Sequence, residues 1–304
     1  MAEKKKWALY GCLGCLGIVV LLVLCGAIIV GVAYVQVGKE QVEQHLSTQE
    51  LPTFVAAEAE NTEQLAPVPQ AGRVVLDLTR TEFHIRPLQP GEEMRVEATY
   101  DKNSFELIES LEQTEGEGWT YRVRFAASGS NMMALLKQLF GGIKPEVSVF
   151  LPTDVPIHLE LELSEGGGDL DLSGMWLTEL DVQFNKGGLE LSVDEPLLYP
   201  AERISLQGAM SGMDISRLGN ASPRRLDVGL EMGGLNLDLR GQWLNDSDIS
   251  ITTHMGGTAV QLPRDVTIIG LDSGGLQIPK ETEIPLPTLR FTTSVTSGEI
   301  EVIP

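Results

Sequence analysis

The chain has 304 residues, 43 Asp+Glu against 22 Lys+Arg, and a formal net charge of −21. Such an acidic balance excludes a nucleic-acid-binding protein, because phosphate contacts need a basic face. An apolar content of 42% is too high for a disordered chain and too low for a polytopic membrane protein, and the length suffices for a sizeable core.

The first element is a membrane anchor. Residues 1–6 form a basic cytoplasmic tail carrying Lys4, Lys5 and Lys6, and no charged residue follows from Trp7 to Gly38. A bilayer core needs about 20 apolar residues, so residues 7–38 are expected to span it as one helix. Trp7 and Tyr34 lie near the two ends, where aromatic rings favour the headgroup level. The lysines place the N-terminus in the cytoplasm and everything after Gly38 outside it. The apolar run exceeds a signal-peptide core of roughly 7–15 residues, which favours an uncleaved anchor. All three cysteines (Cys12, Cys15, Cys25) sit in or beside this segment. The remainder therefore holds no internal disulfide and no thiolate metal site. Cys12-Leu13-Gly14-Cys15 reads as small residues for helix packing, since no second ligand pair exists.

Residues 39–70 are acidic, Gln-rich and end in Pro67 and Pro69. They read as a stalk whose first part extends the membrane helix. From residue 71 the dominant period is two, the strand signature. Residues 131–145 interrupt it with an expected amphipathic helix built on Met132, Leu135, Leu136, Leu139 and Phe140, either a cap or an interaction helix.

A longer period is clearest over residues 165–304. Segments opening on glycine recur, with turn positions at Gly168, Gly188, Gly212, Gly234, Gly257, Gly275 and Gly298. The steps between them are 20, 24, 22, 23, 18 and 23 residues. A second alternating strand lies between successive glycines, for example Ile204-Leu206 and Leu226-Val228-Leu230. The expected fold is all-β: a one-sided β-solenoid over residues 71–304 with coils of about 22 residues, stacked so that their apolar positions form one column. Glycine recurs because the corner needs positive φ or lets the next coil's backbone pass close. A leucine-rich repeat would need LxxLxLxxN and helical returns, and neither is present. An antiparallel sandwich would not hold Gly-Gly at one fixed phase.

These features carry a resemblance. VSVFLP (Val147–Pro152) leads into VPIHLELEL (Val155–Leu163), then a Gly-flanked LDL strand and Gly-Gly coils about 22 residues apart. The pattern resembles the bacterial "putative adhesin" or toastrack domains, related to the C-terminal domain of cell-wall-active antibiotic response proteins. The resemblance implies a single-sheet solenoid on a membrane-anchored envelope protein, and it supplies no catalytic residues.

No catalytic, cofactor or metal residues are assigned. The four histidines (His45, His84, His158, His254) form no HExxH, and there is no GxSxG and no P-loop. GGGDLDLSG lacks the tandem nine-residue period that shared calcium requires, and Asn245-Asp246-Ser247-Asp248 reads as a solvated turn. Setting aside Glu3 and the three tail lysines leaves 42 acids against 19 basic residues. That charge repels anionic lipid and polymer, so the expected partner is an envelope protein or a glycan read by polar contacts. Self-association through an exposed edge is a further expectation. The alternatives are a polysaccharide-acting β-helix enzyme, hinted at only by Arg224, Arg225 and Asp227, and a regulator of an envelope-stress signalling partner that would act through helix–helix contact.

Overall fold

Period-two alternation puts every second side chain on one face of a strand, and here it is carried through one sheet of fifteen strands. The structure, a computed structural model, describes residues 42–49, 72–114, 118–128, 143–271 and 286–303. The strands are β1 (Val42–Gln49), β2 (Gly72–Leu78), β3 (Thr81–Pro87), β4 (Met94–Asp101) and β5 (Phe105–Thr114). They continue as β6 (Gly118–Ala127), β7 (Glu146–Leu151), β8 (Ile157–Leu163), β9 (Gly166–Asp171) and β10 (Leu177–Ser192). The last five are β11 (Arg203–Ser216), β12 (Arg225–Asp238), β13 (Ser247–Gln261), β14 (Thr267–Ile269) and β15 (Thr288–Ile303). Among the described residues the one helical piece is a 3₁₀ turn at Leu218–Ala221, and no helix is long and apolar enough to cross a membrane. The expected spanning helix 7–38, most of the stalk, residues 131–142 and Gly275 lie outside the described residues.

Strands β10 to β13 and β15 stack in parallel register, as a solenoid requires. Each turns a corner at mid-length, where the ladder skips one residue: Asn185, Ala209, Glu231, His254 and Thr296. The corner divides the sheet into two arms. On the first arm Val74, Leu159, Leu180, Ile204, Leu226, Ile249 and Phe291 occupy successive strands in register. On the second arm Ile85, Leu170, Leu191, Ile215, Leu237, Val260 and Val302 do the same. All but Val302 are buried, and the two rows face each other in one hydrophobic cluster. Each fully buried aliphatic side chain contributes roughly 1.5–3 kcal/mol, so the stacked rows supply the drive that no single coil has.

The coils do not follow sequence order throughout, which corrects the expectation of simple stacking. The β2–β3 coil comes first in the chain but lies between β6–β7 and β8–β9. At the other end β15 pairs directly with β13, and β14 pairs with the far side of β15. The coil expected between Gly257 and Gly298 is therefore not inserted there; its first strand sits outside the last one. Antiparallel strands finish the N-terminal end, with β5 on β6 and β4 on β7.

The stalk reading also needs correction over residues 42–49. Val42–Gln49 is an edge strand, antiparallel to β4 over its whole length. It covers the backbone groups that β4 would otherwise present as a free edge. Its inward side chains are polar. His45 Nε2 lies 2.6 Å from Glu109 Oε1, and the Ser47 hydroxyl donates to Glu109 Oε2 at 2.5 Å. The buried Tyr121 hydroxyl donates to the same carboxylate, and burial, then that carboxylate, raises the Tyr121 pKa. Glu109 thereby ties β1 to the first arm across the end of the core.

Candidate functional site

The second arm's outer face carries a furrow floored by bare backbone. Gly167, Gly188, Gly212, Gly234 and Gly257 stack in register on five consecutive strands. The hollow above them measures about 1050 Å³. Two residues along each strand, on the same outer face, come Asp169, Glu190, Asp214, Asn236 and Ala259. They form one wall, and Glu301 extends it on β15. Two residues before Gly188, Gly212, Gly234 and Gly257 stand Lys186, Met210, Met232 and Met255 in register, and Ser297 continues the row on β15.

The predicted turn glycines divide into two kinds. Gly188, Gly212, Gly234 and Gly257 stack as the period demands, but none of them holds the corner. Positive φ falls on the residue before, at Gly187 (φ 141°), Gly233 (φ 140°) and Gly256 (φ 149°). A Cβ built at Gly233 or Gly256 would lie 1.7 Å from the carbonyl oxygen one coil back. At Gly188, Gly212, Gly234 and Gly257 a Cβ would meet nothing within 4 Å. Gly168 is out of phase, opposite Leu189. Its Cβ would lie 1.9 Å from the Phe83 carbonyl oxygen, so it serves close backbone approach. Gly298 stacks on Gly256 rather than Gly257 and is held by the same kind of contact, 1.9 Å from the Gly256 oxygen. Four of the repeat glycines are thus not required by the fold around them.

A charged cluster closes one end of the furrow. His84 Nδ1 is 2.5 Å from Asp169 Oδ1, Arg86 pairs with the other Asp169 oxygen, and His84 Nε2 is 3.5 Å from Glu146. Burial pushes the Asp169 pKa up, but hydrogen bonds from Arg86 and His84 outweigh it and hold the carboxyl below its ordinary value. Along the wall, Asn236 Nδ2 donates to Asp214 Oδ1 at 3.0 Å. Among the described residues no aromatic ring lines the furrow.

The first arm's outer face is an ion-pair network. Arg73 makes a bidentate contact with Glu160 at 2.7 and 2.8 Å. His158, Glu179 and Asp181 bring ligand atoms within 4.8 Å of one another. Arg203 already lies 3.3 Å from Asp181, and Arg73 holds Glu160. The basic pair from the sequence is likewise spent: Arg224 pairs with Glu202 at 3.3 Å, and Arg225 with Asp227 at 2.9 Å. Among the described residues of this face the charged side chains are paired with one another. Asp246 accepts the Thr288 N–H at 2.9 Å and Arg290 at 3.2 Å, so the Asn245–Asp248 turn fastens β15. The anchor residues Lys4, Lys5, Lys6, Trp7 and Tyr34 lie outside the described residues.

The three furrow-side methionines were missed from sequence, although Met stands two residues before Gly212, Gly234 and Gly257 at one phase of the repeat.

Comparison with known proteins gives one family. Residues 56–196 match the family described as the N-terminal domain of toast_rack, DUF2154. No curated protein is significantly similar in sequence. Among solved structures, a "putative cell adhesion protein" from Clostridium sporogenes is 13% identical, covering 86% of this chain and 99% of its own, with a TM-score of 0.42. A "putative adhesin" from Bacteroides fragilis is 9% identical, covering 87% and 98%, with a TM-score of 0.36. A "putative lipid binding protein" from Parabacteroides distasonis is 8% identical, covering 88% and 98%, with a TM-score of 0.25. At these overlaps none of the three bears on what this chain binds.

Proposed function

Because residues 56–196 match the N-terminal domain of toast_rack, we propose that the chain is a non-enzymatic, adhesin-like toastrack protein of the cell envelope. In this reading residues 7–38 anchor it, the N-terminus is cytoplasmic, and the sheet displays the furrow outside the membrane. The furrow is the binding site, and its occupant is an extended, basic polypeptide segment.

One observation carries the reading. Four glycines floor the furrow where a side chain would fit without a contact. Glycine in a strand costs roughly 0.5–1 kcal/mol relative to alanine, so the bare floor is maintained at a cost the fold does not require. A strip free of side chains admits another chain's backbone. The carboxylates of Glu190, Asp214 and Glu301 can accept hydrogen bonds from cationic side chains. A sugar-stacking site would need aromatic rings, and none among the described residues lines the furrow, which favours a protein over a glycan.

The test uses the full chain in its native membrane. A photo-crosslinking residue at Glu190 should give adducts in intact cells, and one at Ser250 on the first arm should not. Gly212→Val and Gly234→Val should abolish the Glu190 adducts while leaving the protein folded. Equal adducts at both positions, or adducts that survive both valines, would refute the furrow as the site.

A further inference from the structure

Beside the furrow stands a ridge that packing does not explain. Of the methionines on described strands, Met94 and Met213 are buried, at 0% and 3% exposure. Met210, Met232 and Met255 are 55%, 45% and 48% exposed. These three occupy one register position on three neighbouring strands, bounded by Lys186 and Ser297. A half-exposed corner is ordinarily filled by a polar side chain, since a flexible thioether gains little burial there. The repeat chose methionine three times in succession.

What the three share is chemistry as well as shape. Neighbouring strands lie about 4.8 Å apart, and a methionine side chain has three rotatable bonds. Three thioether sulfurs can therefore converge at the central strand without any backbone movement. Thioether is a soft, neutral donor that selects soft cations such as Cu(I) over zinc, calcium or magnesium. The surroundings supply negative potential: Glu231 precedes Met232, and Glu190, Asp214, Glu299 and Glu301 stand on the same face. A field of that sign concentrates cations at the surface.

We propose that Met210, Met232 and Met255 form a surface site for a soft monovalent cation, Cu(I) or its analogue Ag(I), held by thioether sulfur. Binding involves no change of oxidation state; the ion exchanges its solvent ligands for the sulfurs. The site does not depend on whether the furrow holds a polypeptide.

The experiment titrates Ag(I), and Cu(I) under ascorbate with a competing chelator, into the full chain in nanodiscs. Cys12, Cys15 and Cys25 are replaced by serine throughout, because thiolates would bind the same ions. The expected result is one ion per chain, with sulfur scatterers in X-ray absorption. The Met210→Leu/Met232→Leu/Met255→Leu variant keeps the apolar ridge and removes the sulfur. It should lose about tenfold or more in affinity at an unchanged melting temperature, and Met232→Leu alone should account for most of the loss. Failure of the Met-containing chain to bind either ion at micromolar concentration would overturn the proposal. So would equal affinity in the leucine variant, or an absorption spectrum with only oxygen and nitrogen neighbours.

Discussion

Gly233 and Gly234 are adjacent in sequence, yet the structure assigns them opposite roles, and alanine at each separates the two. At Gly234 the backbone is ordinary for a strand and the new methyl meets nothing within 4 Å. Alanine there removes unfolded-state freedom at no native cost, which stabilises by about 0.4–1 kcal/mol. At Gly233 the φ is 140° and the methyl would lie 1.7 Å from the Ser211 carbonyl oxygen. A non-glycine residue at such a φ costs about 1–3 kcal/mol. Relieving the overlap also moves a carbonyl of the β11–β12 ladder, at about 1 kcal/mol for the disturbed hydrogen bond. For a domain of this size about 2–4 °C accompanies each kcal/mol. Gly234→Ala should thus raise the melting temperature by roughly 1–4 °C, and Gly233→Ala should lower it by roughly 4–16 °C. Urea unfolding followed by tryptophan fluorescence, with the slope m unchanged, checks both. If Gly234→Ala destabilises as much as Gly233→Ala, the second glycine is structural and the argument for an open furrow falls.

Three further outcomes follow from particular contacts. Ser211 Oγ is buried with no hydrogen-bond partner among the described residues; Ser211→Ala should stabilise by about 1 kcal/mol in the same urea assay, since an unmatched buried hydroxyl costs about 1–3 kcal/mol, and a loss of stability would show a partner. Glu109→Gln turns an acceptor of three donors into a mixed group, so amide exchange across Val42–Gln49 should quicken about tenfold (~1.4 kcal/mol) while Leu180–Val182 stays protected; unchanged protection of β1 would deny Glu109 its tethering part. Asp238, pushed up by burial but pulled further down by Arg240, and Glu160, pulled down chiefly by Arg73, have folded pKa values below their unfolded ones. Their stabilisation is present above about pH 4 and lost as pH falls through the folded values. Stability should drop on acidification below that point, Asp238→Asn should flatten the drop, and a slope that Asp238→Asn leaves untouched would refute the assignment.

The strand periods and the Gly-Gly phase are local, so the parallel stack of β10 to β13 was legible. Leu180, Ile204, Leu226 and Ile249 recur at intervals of 24, 22 and 23 residues and stack in register. The position of β2–β3 was not legible, because Val74 and Leu76 fit beside Leu159 and Leu161 as well as beside any other aliphatic pair; pairing across 80 or so residues leaves no period. β1 escaped for another reason. Its inward row is Glu43, His45, Ser47 and Gln49, while Val42 and Leu46 face outward, so no apolar face is buried and the segment reads as linker. The glycines that take positive φ, Gly187, Gly233 and Gly256, stand one residue before the positions the period picks out. A Gly-Gly pair announces a corner, but only the backbone tells which member takes positive φ.

The placement of β14 and β15 dictates an order of assembly. β14 is synthesised before β15, yet its partner among the described strands is β15, which itself docks on β13. In a chain emerging from the ribosome, residues 267–269 therefore wait unpaired until residues 288–303 have appeared and settled on β13. The β2–β3 coil waits in the same way for β6, β7, β8 and β9. The consecutive coils from β8 to β13 have no such delay, so folding should begin in the middle of this solenoid and close at its two ends last.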